Sequence, residues 1–148
     1  MQRIARPVVA AIALLSVLSA STLVALPATA APACAQLEVG EVRPDQSLLM
    51  IAVYADAASY DKSPVAQIQL RADAATMTVP VCNLAAAPQL AFRLYQDLNG
   101  NGKLDRNVLG IPSEPWAASG KAPAMSAPTW ETTAVANDGS VIVVKLSK

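Results

Sequence analysis

Along most of the chain, apolar residues recur at every second position, the period of a strand with one buried face. Over residues 36–42, Leu37 and Val39 fall on one side and Glu38 on the other. Residues 47–54, SLLMIAVY, are nearly all apolar, which suits a central strand covered on both faces. Residues 65–71 alternate openly, with Ala66, Ile68 and Leu70 pointing one way and Gln67, Gln69 and Arg71 the other. Residues 76–81 repeat the pattern with Met77, Val79 and Val81 inward, and Pro80, lacking an N–H, places that strand at a sheet edge. Residues 89–96 set Leu90, Phe92 and Leu94 against Arg93 and Tyr95. Two last runs, 130–136 and 140–146, flank Asn137-Asp138-Gly139, residue types that accept the positive φ of tight turns, and together they predict a hairpin. Short helices fit residues 55–60 or 84–87, but neither is long enough to organise a fold.

Seven short strands separated by turn residues indicate an all-β chain, an antiparallel β-sandwich of immunoglobulin-like or transthyretin-like type. The exception to the even spacing is the connection over residues 97–128, which Gly100, Gly102, Gly110, Pro112, Pro115, Gly120, Pro123 and Pro128 keep out of regular structure. A loop of that length in a compact domain is uncommon and usually functional. With 3 Tyr, 2 Trp and 1 Phe, the core must be built mainly from Val, Leu, Ile and Ala.

The first residues change the picture of where this domain works. Arg3 and Arg6 precede an uncharged apolar stretch over residues 8–26, followed by Pro27-Ala28-Thr29-Ala30, a small-residue cleavage pattern. Residues 1–30 therefore read as an export signal. The competing reading, a retained membrane helix, is disfavoured by Pro27 and by the absence of a flanking charge before Glu38. Residues 31–148 then form a single mature domain, secreted or periplasmic, with no membrane span of its own. Of 11 basic and 11 acidic residues, removing Arg3 and Arg6 leaves 9 against the same 11, and no basic patch suggests a nucleic-acid partner. In an oxidising compartment, Cys34 and Cys82 are expected to form a disulfide.

The candidate chemistry lies where a strand-like run delivers Asp97 into DLNGNGKLD. In the EF-hand loop, side-chain oxygens at positions 1, 3 and 5, Gly at 6, a carbonyl at 7 and a ligand at 9 surround calcium. Counting Asp97 as the first, Asn99, Asn101, Gly102, the carbonyl of Lys103 and Asp105 fill these positions in turn. The bidentate acid of position 12 is replaced by Val108, leaving Glu114 or water to complete the shell. The expected ion is Ca2+, bound weakly. The alternative is a metal-free turn in which the Asx side chains bond nearby backbone amides.

The segment LYQDLNGNGKLDRNVLGIPSEP resembles the secreted bacterial family catalogued as domain of unknown function 2141. That family carries a D-x-N-x-N-G-K-L-D loop followed by L-G-I-P-x-E, matched here by Asp97 to Asp105 and by Leu109, Gly110, Ile111, Pro112 and Glu114. The chain departs from the family pattern at Gln89-Leu90, where a Gly-Tyr pair is usual, and over residues 115–120. The resemblance implies export, a sandwich-like fold and the loop, and no reaction.

With no His in the chain, a Ser-His-Asp or Cys-His arrangement is excluded. The expected function is a calcium-stabilised, non-catalytic binding module for an extracellular or periplasmic ligand or protein, with Trp116 on its surface. The alternatives are a structural cell-envelope protein with a metal-free turn, and a hydrolase built on a carboxylate pair such as Glu114 with Asp97 or Asp105.

Overall fold

The structure is a computed structural model that describes residues 34–84, 87–121 and 126–147. The expected export signal lies outside these residues. Among these residues, eight strands and one short helix follow in order. They are β1 (Cys34–Gly40), β2 (Leu48–Tyr54), β3 (Ala66–Arg71), β4 (Met77–Cys82), β5 (Gln89–Asp97), β6 (Trp116–Ala118), α1 (Trp130–Thr133), β7 (Val135–Ala136) and β8 (Val141–Lys145).

The strands form two sheets, ordered β4-β1-β8 and β3-β2-β5-β6, with β7 pairing the start of β5. The alternation in the sequence sorts the side chains. Leu37 and Val39 of β1, Val79 and Val81 of β4, and Ile142 and Val144 of β8 share one core with Leu49, Ile51 and Val53 of β2 and Leu90, Phe92 and Leu94 of β5. This is the arrangement of a β-sandwich, two sheets burying their inner faces against each other. Among the described residues, the main core runs from Ala35 to Leu146.

Pro80 lies in β4, at the free edge of the smaller sheet, where a missing N–H need not interrupt a ladder. Cys34 and Cys82 face each other in the β1–β4 register and form the expected disulfide. The bridge closes a separation of 48 residues, for which loop entropy gives on the order of 4 kcal/mol as an upper figure.

Three expectations are corrected. Residues 130–136 are not one strand: Thr129 starts a helical turn instead, its N–H donating to Thr132 Oγ1 at 3.0 Å, and only Val135–Ala136 is extended. Asn137-Asp138-Gly139 does turn the chain, but it links β7 in one sheet to β8 in the other and closes no hairpin. β8 instead runs parallel to β1, pairing Leu37 with Ile142 and Val39 with Val144. β2 is central as expected, but its outer face is only half-buried at Leu48, Met50 and Ala52.

Candidate functional site

β5 ends on Asp97, and β6, which follows the loop, pairs back onto β5 through Arg93–Ala118, Leu94–Ala117 and Tyr95–Trp116. The long connection is therefore interrupted: residues 98–115 are an excursion between neighbouring strands, projecting from one end of the larger sheet. The Gln96 N–H donating to the Pro115 carbonyl at 2.8 Å closes its base.

Asp97 organises the first half. Its side chain is fully buried at 0% exposure. Oδ1 accepts the N–H groups of Gly100 at 2.8 Å and Asn101 at 3.2 Å, and Oδ2 accepts that of Gly102 at 2.7 Å. The chain can curl round one carboxylate because Gly100 and Gly102 hold φ of 74° and 75°, in the left-handed region that suits glycine. The next oxygens repeat the device: Asn99 Oδ1 accepts the Asn101 N–H at 3.1 Å, and Asn101 Oδ1 accepts the Lys103 N–H at 2.8 Å. Both amide nitrogens converge on Asp105, Asn99 Nδ2 at 2.6 Å and Asn101 Nδ2 at 3.0 and 3.1 Å from its carboxylate oxygens.

Glu114 ties the two flanks of this curl together. It is 5% exposed, and its two oxygens accept the N–H groups of Leu98 at 2.8 Å and Asp105 at 3.0 Å. Its position is that of a clamp across the loop. Tyr95 adds a second tie, its hydroxyl donating to the Gly102 carbonyl at 2.9 Å. Sequence reasoning missed this role of Tyr95, although its place two residues before Asp97 on the same strand puts the two on one face.

The electrostatics of this arrangement are uneven. Buried carboxylates need compensation by hydrogen bonds, a paired cation or a metal. Asp97 and Glu114 have the hydrogen bonds, but the ion pair among the described residues is Arg93–Asp61, on the outer face of the sheet. Burial pushes the Tyr95 phenol above its ordinary 10.0, and the negative charges of Asp97 and Glu114 push it further. Among the described residues, no group of three or more His, Cys, Asp or Glu side chains stands close enough to hold a metal ion. A cation here would draw on amide and main-chain oxygens as well.

Beside the loop, the outer face of the larger sheet carries two cross-strand rows, Gln69–Met50–Tyr95–Trp116 and Gln67–Ala52–Arg93–Ala118. The small side chain of Ala52 lowers the floor between Gln67 and Arg93. The result is a trough of about 420 Å³, and Leu104 and Arg106 of the loop stand at its side. Trp116 is half-buried in its wall, with its N–H and carbonyl both bonded to Ser147 at 3.0 Å. The trough thus combines apolar contacts from Met50, Tyr95 and Trp116 with amide and guanidinium donors, the mixture found in small-ligand sites.

A family model described as "Uncharacterized protein conserved in bacteria (DUF2141)" matches residues 37–144. Comparison with curated proteins and with solved structures gives no match.

Proposed function

This chain belongs to the uncharacterized bacterial family DUF2141, and we propose that it is an exported, non-catalytic binding module whose loop takes Ca2+ and walls a ligand trough. The observation that carries the calcium reading is the curl that brings the side-chain oxygens of Asp97, Asn99, Asn101 and Asp105 into one loop, with no ion pair to either carboxylate among the described residues. The donor set is all oxygen, which fits a hard cation. Asp97, Asn99, Asn101 and Asp105 would hold the ion with their side chains and Lys103 with its carbonyl, while water fills the rest. Glu114, engaged with two backbone N–H groups, stays a clamp. The ion has to displace the Asn99 and Asn101 nitrogens from Asp105, which places affinity at the weak extracellular end of the range, roughly 0.1–1 mM.

The trough supports the binding reading, because the loop that takes the ion also forms its side. Ordering the loop pre-organises the wall before a ligand arrives. A carboxylate hydrolase is less well supported: Asp97 and Glu114 are committed to backbone N–H groups rather than aimed at a shared opening. Export is supported by the Cys34–Cys82 disulfide, which belongs to an oxidising compartment. No helix among the described residues is long and apolar enough to cross a membrane.

The test is a calcium titration followed through backbone amide NMR shifts. The N–H groups of Gly100, Asn101, Gly102 and Lys103 should move together and saturate, with Asp97→Asn abolishing the response. Unmoved amides would leave a metal-free turn and favour the structural envelope reading.

A further inference from the structure

Past Asp105 the loop narrows into a tip that neither calcium nor the trough explains. Arg106 pairs with Pro112 across it, and the Asn107 N–H donates to the Ile111 carbonyl at 2.9 Å. Inside the turn, Asn107 Oδ1 accepts the N–H groups of Leu109 at 2.9 Å and Ile111 at 3.0 Å. The Gly110 N–H donates to the Asn107 carbonyl at 2.9 Å, while Arg106 Nη1 donates to the Gly110 carbonyl at 2.8 Å. Most of the backbone polarity of residues 107–111 is thus spent within the turn. What faces solvent is aliphatic: Val108 is 101% exposed, Leu109 78% and Ile111 55%.

A hydrogen-bonded turn that holds three large aliphatic side chains in water marks an interaction site. We propose that residues 107–111 dock the protein on a phospholipid bilayer, with Val108, Leu109 and Ile111 entering the interface and Lys103 and Arg106 at the level of the headgroup phosphates. Both cations are exposed, Arg106 at the tip with Nη1 on the Gly110 carbonyl and Lys103 in the preceding curl, whereas Asp97 and Glu114 are buried and Asp105 is half-buried against the Asn amides. The exposed charges of the excursion are therefore the two cations, which suits the phosphate layer. A protein partner fits less well. Protein hot spots favour Trp, Tyr and Arg over Leu and Val, and sit within interfaces of about 800 Å² a side. A convex tip of three aliphatic residues offers neither, while a bilayer accepts it without a matching pocket.

The test is co-sedimentation of residues 31–148 with vesicles of equimolar phosphatidylcholine and phosphatidylglycerol. Wild type should partition to the vesicles, and Leu109→Ser with Ile111→Ser should weaken this by tenfold or more, since each buried aliphatic side chain contributes about that factor or more. Both substituted side chains are exposed, so the melting temperature should not move. A Leu109→Trp variant should gain fluorescence that is quenched by lipids brominated on their acyl chains. No partition of the wild type, equal partition of the double variant, or tip-dependent self-association would each overturn the proposal, the last in favour of a protein partner.

Discussion

Glu114 holds Asp105 by its backbone, not its side chain: Oε2 accepts the Asp105 N–H at 3.0 Å while Oε1 reaches the Leu98 N–H at 2.8 Å. One carboxylate thereby fixes both flanks of the Asp97 loop. Charge-assisted hydrogen bonds of this kind contribute about 1.5–3 kcal/mol each. Glu114→Ala should therefore destabilise the domain by about 3 kcal/mol or more in urea unfolding. Glu114→Gln, which keeps one acceptor oxygen, should cost roughly half as much. A loss below about 0.5 kcal/mol for the alanine variant would show that the clamp contributes nothing.

Gly120 fixes how the chain leaves β6 for α1. It holds φ of 70°, and a Cβ there would lie 2.5 Å from the Thr132 carbonyl oxygen, which also accepts the Lys121 N–H at 2.7 Å. The nearest atoms all belong to the Thr132–Thr133 backbone, which leaves nothing flexible to move. Gly120→Ala should cost about 2 kcal/mol or more, combining left-handed strain with the clash. Gly102→Ala, with φ of 75° but open space around it, should cost only the strain, about 1–2 kcal/mol. Equal losses in paired urea melts would contradict this division.

At acid pH, Asp45 provides a local reporter. Hydrogen bonds from the Ser47 hydroxyl and then the Ser47 N–H hold its carboxyl below the ordinary 3.8. With the folded value depressed, its contribution to stability is present above about pH 4 and is lost as pH falls through the folded value. NMR titration of the Asp45 carboxyl should give a midpoint below 3.8, and Ser47→Ala should raise it. A midpoint unmoved by that substitution would remove Ser47 as the cause.

The chain shows its strands because period-2 alternation is a direct record of one-sided burial. Leu37, Val39, Val79, Val81, Leu90, Phe92 and Leu94 all lie in the core as the pattern requires. The disulfide and the edge position of Pro80 were legible for equally local reasons, cysteine chemistry and a missing N–H. Pairing partners were not. Asn137-Asp138-Gly139 reports a change of direction, but which strand receives β8 depends on the distant β1. The segment 130–133 carries β-favouring Trp and Thr, yet Thr129 caps it and the contact of Trp130 with Tyr60, ring centroids 6.3 Å apart, holds it as a helical turn.

The loop was legible as an oxygen-rich turn because Asp, Asn and Gly recur at alternating positions. Spacing leaves Glu114 or water as the completing ligand, and the engagement of Glu114 with two backbone N–H groups depends on how residues 106–113 fold back. Spacing places Trp116 on a candidate binding surface within an irregular loop; it lies in the trough wall, as the first residue of β6. Neither follows from spacing alone, since β6 has only three residues.

Whether the buried carboxylates await a cation is tested most directly by thermal unfolding of oxidised residues 31–148 in chelator, in calcium and in magnesium. Calcium at about ten times its dissociation constant should add about 1.4 kcal/mol, which for a domain of this size raises the melting temperature by about 5 °C. Magnesium should do less, because it demands a tighter octahedral shell, and Asp97→Asn should remove the calcium shift. An unchanged melting temperature in calcium, with the wild-type loop intact, would contradict calcium binding and leave DLNGNGKLD as a turn held by its own amides.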